Sequence, residues 1–348
     1  IPTENPPGAA YDACVERIVA ELDRLGLKRE LVATGTREAP RTAILARAGD
    51  GDRLLYLHGH YDVVPAFGPE QFEPRIEQGR LAGRGASDMK GGLATIVYAA
   101  RLAAEQGAHV GLVIVPDEET GGRLGAERLA ALGRLDPTAV GAIVAEPTWG
   151  TIWHACRGAF TLRVTVRGQP AHVGLHYEGR NAFEMAVQVV LALRALQEAL
   201  RARRSRLTFA SPHPRAAESI MLIGGLATGG TNFNIVPAEF SFTVDRRPNP
   251  EEDFDQAKRE LLAALEAVRG QGIPVEWELL QDARSALSET DGPLARAIAG
   301  AIERVSGSRP SFTCCPGVLE IRVYRALGVP ALAFGPGLID RMHGPDED

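Results

Sequence analysis

The chain has 348 residues, of which 45% are hydrophobic and 24% are charged, and its formal net charge is −6. This length predicts two or three domains, and the ordinary composition excludes a disordered, a collagen-like and a disulfide-stapled chain. No run approaches the roughly 18 apolar residues of a membrane span. The negative charge does not favour nucleic acid, so we expect neither membrane nor nucleic acid as a partner.

The cysteines indicate a reducing compartment. Cys14, Cys156, Cys314 and Cys315 lack the C-x-x-C spacing of metal and redox motifs, and adjacent cysteines rarely bridge each other. We therefore expect a cytoplasmic protein. The chain begins with Ile1 and has no signal-type apolar stretch, so we expect that N-terminal residues are missing from it.

The first predicted element is an amphipathic helix over 9–26. Short apolar runs that end in polar clusters come next, with helical segments between several of them. Continuously apolar strands that alternate with helices predict a mostly parallel sheet covered by helices on both faces. The apolar runs lie at 54–57, 110–115, 139–144 and 329–334, and the helical segments at 91–106, 122–132, 291–306 and 318–327.

The middle of the chain has a different pattern, which begins with an alternating strand at 161–167. The elements that follow are a helix at 180–203, strands at 218–227 and 238–246, a helix at 251–268 and a strand at 274–281. This β-α-β-β-α-β order predicts a ferredoxin-like α+β domain. We therefore predict an α/β domain of residues 1–157 and 282–348, with an inserted α+β domain of residues 158–281.

Polar clusters follow the apolar strands, at the edge where open α/β sheets bind ligands. Five carboxylates at one edge would repel one another, and divalent metal ions relieve that repulsion. Mixed His and carboxylate ligands suit zinc, with cobalt or manganese as alternatives, and two ions need about six ligand positions with one bridging carboxylate. The residues at this edge are His60, Asp62, Asp88, Glu118, Glu119, Glu146 and His343.

Each of these features has an ordinary alternative when it is considered singly. His60 would be a structural histidine, Glu118 and Glu119 a solvated loop, and residues 83–92 a glycine-rich helix start. The last segment lacks the G-x-x-x-x-G-K-[ST] pattern of a nucleotide-binding loop. The occurrence of all of them at one predicted edge favours a metal site.

Six strings, spread in order over nearly the whole chain, resemble the motifs of the dinuclear zinc amidohydrolase family. That family includes acetylornithine deacetylase, succinyl-diaminopimelate desuccinylase, aminoacylase and glutamate carboxypeptidase. The resemblance implies a zinc-peptidase-like catalytic domain, and an inserted domain that dimerises and closes over the active site. The strings are GHYDVVP, GRGASDMKGG, DEETGG, AEPT, GQPAH and GPG…HGPDE.

The resemblance also implies a ligand set. His60 and Glu146 would bind one metal ion, and Glu119 and His343 would bind the other. Asp88 would bridge the two ions, and the peptide bond that follows it is expected to be cis.

Two further carboxylates receive catalytic roles from the resemblance. Asp62 would orient the imidazole of His60, because a metal-bound histidine usually needs such a partner. Glu118 would be the general base, which takes a proton from a metal-bridging water and delivers it to the leaving amine. The metal ions would lower the pKa of that water and polarise the amide carbonyl.

The substrate-facing residues are also implied by the resemblance. His172 in GQPAH would stabilise the tetrahedral oxyanion, commonly from the partner subunit. Asn234 and Arg247 would hold the substrate carboxylate, with the neighbouring Arg246 as an alternative to Arg247. Arg322 matches the place of a pocket arginine in some relatives.

One departure from the family pattern concerns the substrate pocket. Glu320 stands where relatives have aspartate, two residues before Arg322. This change leaves open how the chain recognises the side chain of its substrate.

We predict a metal-dependent hydrolase that cleaves the amide bond of an N-acyl amino acid, as a deacetylase or desuccinylase does, and acts as a homodimer. The first alternative is a metallo-exopeptidase of the carboxypeptidase or dipeptidase kind that acts on short peptides. The second is a non-catalytic module that binds metal or an amino acid. A lost base or ligand would mark such a module, and every expected position is filled.

Overall fold

The structure is a computed structural model that describes residues 1–148 and 150–348. Contacts along the chain divide it into two units, each with its own hydrophobic core. The first unit contains Ile1–Ala155, Leu287–Cys315 and Leu319–Asp348, and the second contains Cys156–Ala286 and Pro316–Val318.

Helices and strands alternate along much of the chain. The α-helices are α1 (Tyr11–Arg24), α2 (Lys90–Glu105), α3 (Ala126–Ala131), α4 (Ala182–Arg201), α5 (Phe254–Gly270), α6 (Pro293–Ser306) and α7 (Ile321–Ala326). The strands are β1 (Lys28–Ala33), β2 (Thr42–Ala48), β3 (Leu54–His60), β4 (Arg75–Glu77), β5 (Arg80–Ala82), β6 (His109–Val115), β7 (Gly141–Val144), β8 (Thr151–Cys156), β9 (Ala159–Arg167), β10 (Ile220–Gly229), β11 (Glu239–Arg247), β12 (Val275–Ala283), β13 (Ala286–Leu287), β14 (Ser311–Cys315) and β15 (Ala331–Ala333). Turns of 3₁₀ helix lie at Pro69–Phe72, Glu118–Thr120 and Val173–Glu178.

A mixed sheet forms the centre of the first unit, in the order β1-β2-β6-β3-β7-β15-β8-β13, with β14 beside β8. The central strands β6, β3, β7 and β15 are parallel to their neighbours in that series. Towards the edges, β1, β2 and β8 pair in antiparallel fashion. The parallel strands are the continuously apolar ones, because such strands are buried on both faces.

Helices cover this sheet through two hydrophobic clusters. Leu22 of α1 and Ile96 of α2 share one cluster with Leu112 of β6. Ile298 of α6 belongs to the other cluster, together with Leu332 of β15. The predicted α/β architecture of a mostly parallel sheet flanked by helices is confirmed, with antiparallel strands added at its edges.

The second unit is a four-stranded antiparallel sheet in the order β10-β11-β9-β12, with α4 and α5 packed on it. In β9 the buried residues Leu162, Val164 and Val166 alternate with more exposed ones. They form a core with Leu193 of α4 and Leu261 of α5. This is the strand order of a ferredoxin-like fold, so the predicted α+β architecture is also confirmed.

The parallel strands of the first unit end together. The register places His60, the last residue of β3, beside Val115, the last residue of β6. It also places His58 beside Val144, the last residue of β7. Side chains that follow these strands therefore emerge at one edge of the sheet, where open α/β sheets bind their ligands.

None of the helices in the described parts of the chain is both long and apolar enough to cross a membrane.

Candidate metal centre

His60 and Asp62 form the buried floor of this edge, and both are fully inaccessible to solvent. Nδ1 of His60 lies 3.0 Å from the backbone oxygen of Asp62 and 3.4 Å from its Oδ1. Nε2 of His60 lies 3.0 Å from Oδ1 of Asp88. The contacts at Nδ1 orient the ring so that Nε2 is presented to the cluster, as a ligating histidine requires.

The carboxylate of Asp62 also holds the turn that carries the paired glutamates. It accepts hydrogen bonds from the backbone N–H groups of Glu118 and Glu119, each at 3.2 Å. Asn5 Nδ2 donates a further hydrogen bond to Asp62, at 2.9 Å. One side chain thus ties His60 to the Glu118 turn, and the contribution of Asn5 had no signal in the sequence.

Asp88 stands immediately before α2, and the peptide bond that follows it is cis. Its Oδ1 lies 3.0 Å from His60 Nε2, and its Oδ2 lies 3.0 Å from His343 Nε2. Burial disfavours its ionisation, but these imidazoles hold the pKa of the Asp88 carboxyl below its usual range. The two oxygens of one carboxylate therefore face two different histidines.

Two ligand groups share this carboxylate. One consists of His60, Asp88 and Glu146, and the other of Asp88, Glu119 and His343. In each group the candidate ligand atoms lie within 4.8 Å of one another. The structure thus brings together the five residues that the sequence predicted as ligands, with Asp88 in common.

An unpaired atom shows that the donor set fits divalent metal. Oε1 of Glu146 is buried and has no hydrogen-bond partner within the described ranges, and it lies 4.0 Å from His60 Nε2. A buried polar atom without a partner is costly, so a group that binds it is expected. Imidazole and carboxylate donors suit zinc, cobalt and manganese.

Crowded carboxylates give the metal-free cluster an unfavourable charge. Burial, and then the neighbouring negative charges, raise the pKa of Glu118 and of Glu146 well above the usual range. Burial and Asp88 likewise raise the pKa of Glu119. Positive charge placed among these groups would stabilise their ionised forms.

The neighbouring carboxylates raise the pKa of both histidines of the cluster. Burial alone would lower the pKa of His60, but the carboxylates of Asp62 and Asp88 raise it well above its ordinary value. Hydrogen bonds that His343 donates to Asp88 and Glu119 raise the pKa of His343 to about 10. Without metal, the surrounding carboxylates therefore favour the positively charged form of both rings.

Glu118 and Glu119 differ in how firmly they are held. Oε1 of Glu119 accepts a hydrogen bond from the backbone N–H of Val64 at 3.1 Å, and its Oε2 lies 3.3 Å from His343 Nε2. The side chain of Glu119 is 4% exposed, whereas that of Glu118 is 15% exposed. Glu118 is thus the glutamate of the pair that solvent can reach.

A buried polar triad beneath the cluster was missed by the sequence reasoning. His58 Nδ1 lies 2.8 Å from the hydroxyl of Tyr324, and His58 Nε2 is hydrogen-bonded to Oε2 of Glu320. Glu320 is 2% exposed. The departure from aspartate that the sequence showed at Glu320 therefore lies in a contact between β3 and the start of α7.

Arg322 is buried and engaged in contacts within the first unit. Its guanidinium is paired with Glu127, and Nη2 donates a hydrogen bond at 2.7 Å to the backbone oxygen of Gly121. Gly121 follows the Glu118–Thr120 turn. Arg322 therefore braces the loop that carries the paired glutamates.

Three of the predicted substrate-facing residues belong to the second unit. His172 is exposed, and its Nδ1 accepts a hydrogen bond at 3.1 Å from the backbone N–H of Gly174. Asn234 is its neighbour, since the Asn234 backbone oxygen accepts a hydrogen bond from Val173 N–H at 2.8 Å. The structure brings His172 and Asn234 together on adjoining segments.

Arg246 and Arg247 have different surroundings in β11. Arg246 is 1% exposed, and it donates hydrogen bonds of 2.7 Å each to Ser219 Oγ and to Glu252 Oε2. Arg247 is half-buried and paired with Asp245 at 2.8 Å. The more accessible guanidinium of the two is that of Arg247, which favours it over the alternative.

Comparison with known proteins gives relatives over nearly the whole chain. Aminoacylase-1 of Sus scrofa is 29% identical over 347 residues, which cover 95% of this chain and 83% of that protein. Succinyl-diaminopimelate desuccinylase of Xylella fastidiosa is 27% identical over 350 residues, which cover 96% and 87% of the two chains.

A solved structure confirms the fold. A metallo-carboxypeptidase of Sulfolobus solfataricus superposes with a TM-score of 0.80 at 18% identity, covering 99% of this chain and 91% of that one. The model of one peptidase family matches residues 56–348, which contain every predicted ligand. The chain therefore belongs to peptidase family M20/M25/M40.

Proposed function

We propose that this protein hydrolyses the amide bond of N-acyl amino acids with the help of two divalent metal ions, zinc in the first place. The observation that carries the proposal is the pair of ligand groups joined by Asp88, with Glu118 beside them. The family match confirms the expectation of a hydrolase of linear amide bonds. The substrate class is supported by the names of the curated relatives, an aminoacylase and a desuccinylase.

Some of these residues would bind the metal ions, and others would transfer protons. His60 and Glu146 would hold one ion, Glu119 and His343 the other, and Asp88 both. The metal ions, when bound, supply Lewis acidity for the amide carbonyl and for the attacking water.

Glu118 acts as the proton carrier in this proposal. Its carboxylate accepts the proton of the attacking water and then delivers it to the nitrogen of the leaving amine as the amide bond breaks. Support comes from its position 4.0 Å from His60 Nε2 and from its access to solvent, while Glu119 is held by Val64. Asp62 positions both the proposed ligand His60 and the proposed base Glu118, because it contacts the imidazole of the first and the backbone of the second.

His172 stabilises the oxyanion in this proposal. Because its Nδ1 accepts a hydrogen bond from the Gly174 N–H, Nε2 is the ring nitrogen that remains to donate one. An N–H donor of this kind suits a developing negative oxygen. Asn234 and Arg247 are proposed to bind the substrate carboxylate, for which the forked guanidinium of arginine is well shaped. Arg322 is proposed as a residue of the substrate pocket.

A substrate panel tests the proposal. The zinc-loaded protein is assayed on N-acetyl and N-succinyl amino acids beside dipeptides with the same C-terminal residue. We expect turnover of at least one acylated series, and loss of that turnover after chelation of the metal. Cleavage of dipeptides alone would rule out the deacylase and leave the exopeptidase.

The exopeptidase is kept as a second candidate because of the structural likeness to a metallo-carboxypeptidase. Both reactions need the same metal ligands and the same base, so the chemistry of the cluster does not distinguish them. The distinction lies in whether the pocket takes a simple acyl group or an aminoacyl group of a peptide.

A homodimer is proposed through the second unit. β10 is an edge strand of its sheet, and Leu222 and Leu226 on it are 54% and 70% exposed. On α4, Phe183, Val187 and Leu191 recur at a spacing of four residues and are exposed, which makes an apolar stripe. An unpaired strand edge and an apolar helix stripe in one unit favour a second copy of the chain as the occupant.

A further inference from the structure

The C-terminal segment 343–347 contains a buried carboxylate that the reaction scheme does not use. Glu347 is 1% exposed, and its Oε1 accepts hydrogen bonds from the backbone N–H groups of Gly85 at 2.9 Å, Ser87 at 3.2 Å and Asp88 at 3.0 Å. Three donors that converge on one oxygen suit a negatively charged acceptor. The loop that presents Asp88 is thus held by a side chain more than 250 positions away.

The second oxygen of Glu347 is also engaged. Its Oε2 is paired with Arg84, and the two side chains are 0% and 1% exposed. The backbone oxygen of Glu347 accepts a further hydrogen bond from Gly83 N–H at 2.9 Å. Glu347 therefore binds the loop of residues 83–88 through both its side chain and its backbone.

The other end of the segment is held by Gln71. Its Nε2 donates hydrogen bonds of 3.0 Å each to the backbone oxygens of Gly344 and Pro345, the two residues after His343. His343 lies outside the helices and strands and is itself 39% exposed at its side chain. Its position relative to Asp88 therefore depends on this short tethered segment.

The two ligand groups depend to different degrees on the contacts that Gln71 and Glu347 make. In the group of His60 and Glu146, His60 is the last residue of β3 and Glu146 follows β7, and these two strands are parallel neighbours. In the group of Glu119 and His343, the histidine lies in the loop after β15, next to the segment that Gln71 and Glu347 hold. A change in Glu347 should thus act mainly on the second group.

We propose that Glu347 is a positioning residue, which sets the spacing between Asp88 and His343 and thereby the metal affinity of the Asp88–Glu119–His343 group. This inference rests on the proposed metal centre. Outer contacts of this kind change metal affinity by about 10–100-fold when they are removed.

Metal titration of three variants tests the role. Metal-free protein is titrated with Zn²⁺ against a chromophoric chelator, for the unmodified chain and for Glu347→Gln, Asp346→Asn and His343→Ala. Asp346 is the adjacent exposed acid, so its variant loses the same charge from the same segment. We expect Glu347→Gln to weaken one of two binding steps by about 10–100-fold, the same step that His343→Ala weakens, and Asp346→Asn to stay within about twofold.

The outcomes separate the inference from the proposed function. If the unmodified chain binds two ions and Glu347→Gln binds both with unchanged affinity, the positioning role is wrong while the metal centre stands. If the unmodified chain binds no Zn²⁺, the metal centre itself is wrong and the inference is overturned with it. If Glu347→Gln or Asp346→Asn weakens both Zn²⁺-binding steps equally, the selective role of Glu347 in the Asp88–Glu119–His343 group is also overturned.

Two readouts exclude a merely structural effect. The visible spectrum of the Co²⁺-loaded protein should change in Glu347→Gln and not in Asp346→Asn, since it reports ligand geometry. If Glu347→Gln fails to fold, hydrogen exchange of the unmodified metal-free protein tests instead whether Glu347 holds the loop before α2. Slow exchange of the Gly85, Ser87 and Asp88 amides is expected, and exchange as fast as in exposed loops would overturn the proposal.

Discussion

Glu118 and Glu119 are neighbours in sequence, yet the fold gives their carboxylates different surroundings. Glu119 is fixed by the Val64 amide and faces His343, whereas Glu118 retains access to solvent. A residue that moves a proton between water and a leaving amine needs that access and freedom. The difference arises from the 3₁₀ turn at Glu118–Thr120, which turns consecutive side chains in different directions.

The first prediction concerns Glu118. Glu118→Gln keeps the shape of the side chain but removes its ability to accept a proton, so we expect the turnover rate to fall by about 10²–10⁴-fold. The bound metal, measured by elemental analysis, should be unchanged. Glu105→Gln on α2, which makes a surface ion pair, is the matched control. A rate for Glu118→Gln within tenfold of the unmodified protein would contradict the assignment.

A second prediction follows from the pKa of about 10 of His343 in the metal-free protein. Below this pH the ring is positively charged, and an imidazole must be neutral to bind metal, so metal binding near neutral pH displaces one proton from it. Metal affinity should therefore rise as the pH rises towards 10. Calorimetric titrations in buffers of different ionisation enthalpy count the released protons.

His343→Ala provides the comparison for this count. It should release about one proton fewer than the unmodified chain on binding metal. Equal proton release by the two proteins would show that His343 is not a ligand.

The candidate ligands were predictable because short strings in the chain carry them, whereas the contacts of their supporting residues were not. Asn5 contacts Asp62 across 57 positions, and Glu347 contacts Asp88 across 259. Nothing in the local pattern around Asn5 indicates such a contact, and the string HGPDE contains Glu347 without showing what that residue binds. Only the folded chain shows which distant side chain satisfies a given backbone group.

At the scale of elements, the contact between β3 and α7 is polar and buried. His58 of β3 is hydrogen-bonded on one nitrogen to Tyr324 and on the other to Glu320. Buried polar groups that lose a partner are destabilising, since water cannot replace it. This link holds the strand that ends in His60 against the helix that braces the Glu118 loop.

A third prediction tests that link. Tyr324→Phe removes the hydroxyl group and leaves His58 Nδ1 without its partner, so the free energy of unfolding should fall by about 1–3 kcal/mol. Urea denaturation measures the change. Tyr98→Phe is the control, because its hydroxyl bonds exposed groups and should change stability by less than about 0.5 kcal/mol. Similar losses in both variants would argue against a buried link.

Elements with strong apolar patterns were predicted, and weakly patterned ones were missed. The buried run at 110–115 corresponds to β6, whereas β1 is mostly exposed and gave no signal. The helix predicted over 122–132 begins only at Ala126. Gly121 and Gly122 have φ of 102° and 72°, so the chain has left the helical region there.

For the whole molecule, the exposed apolar stripe on α4 leads to a fourth prediction. The unmodified protein should be a dimer, and Leu191→Glu should shift it towards monomer, because a charge would be buried in the interface. Sedimentation equilibrium at several concentrations measures the shift. Leu102→Glu on α2 is the control, since Leu102 is equally exposed but lies in the first unit. A monomeric unmodified protein at micromolar concentration would overturn the proposed dimer.

The order of the strands could be anticipated only in part. The β-α-β-β-α-β succession was sufficient for the antiparallel sheet of the second unit. The first unit was harder, because β2 lies between β1 and β6, and β15 lies between β7 and β8. Such insertions depend on long-range pairing, which the local apolar pattern does not encode.

The long segment of the second unit, Cys156–Ala286, begins and ends at the same place in the sheet of that unit. In the register of β9 and β12, Ala159 near the start of the unit lies opposite Ala283 near its end. The two ends of this segment of more than a hundred residues are therefore as close together as the two ends of a β-hairpin. The entropy of closing a loop depends on the separation of its ends, and here folding of the unit itself brings them together. The first unit can thus tolerate change in this segment without altering its own connections.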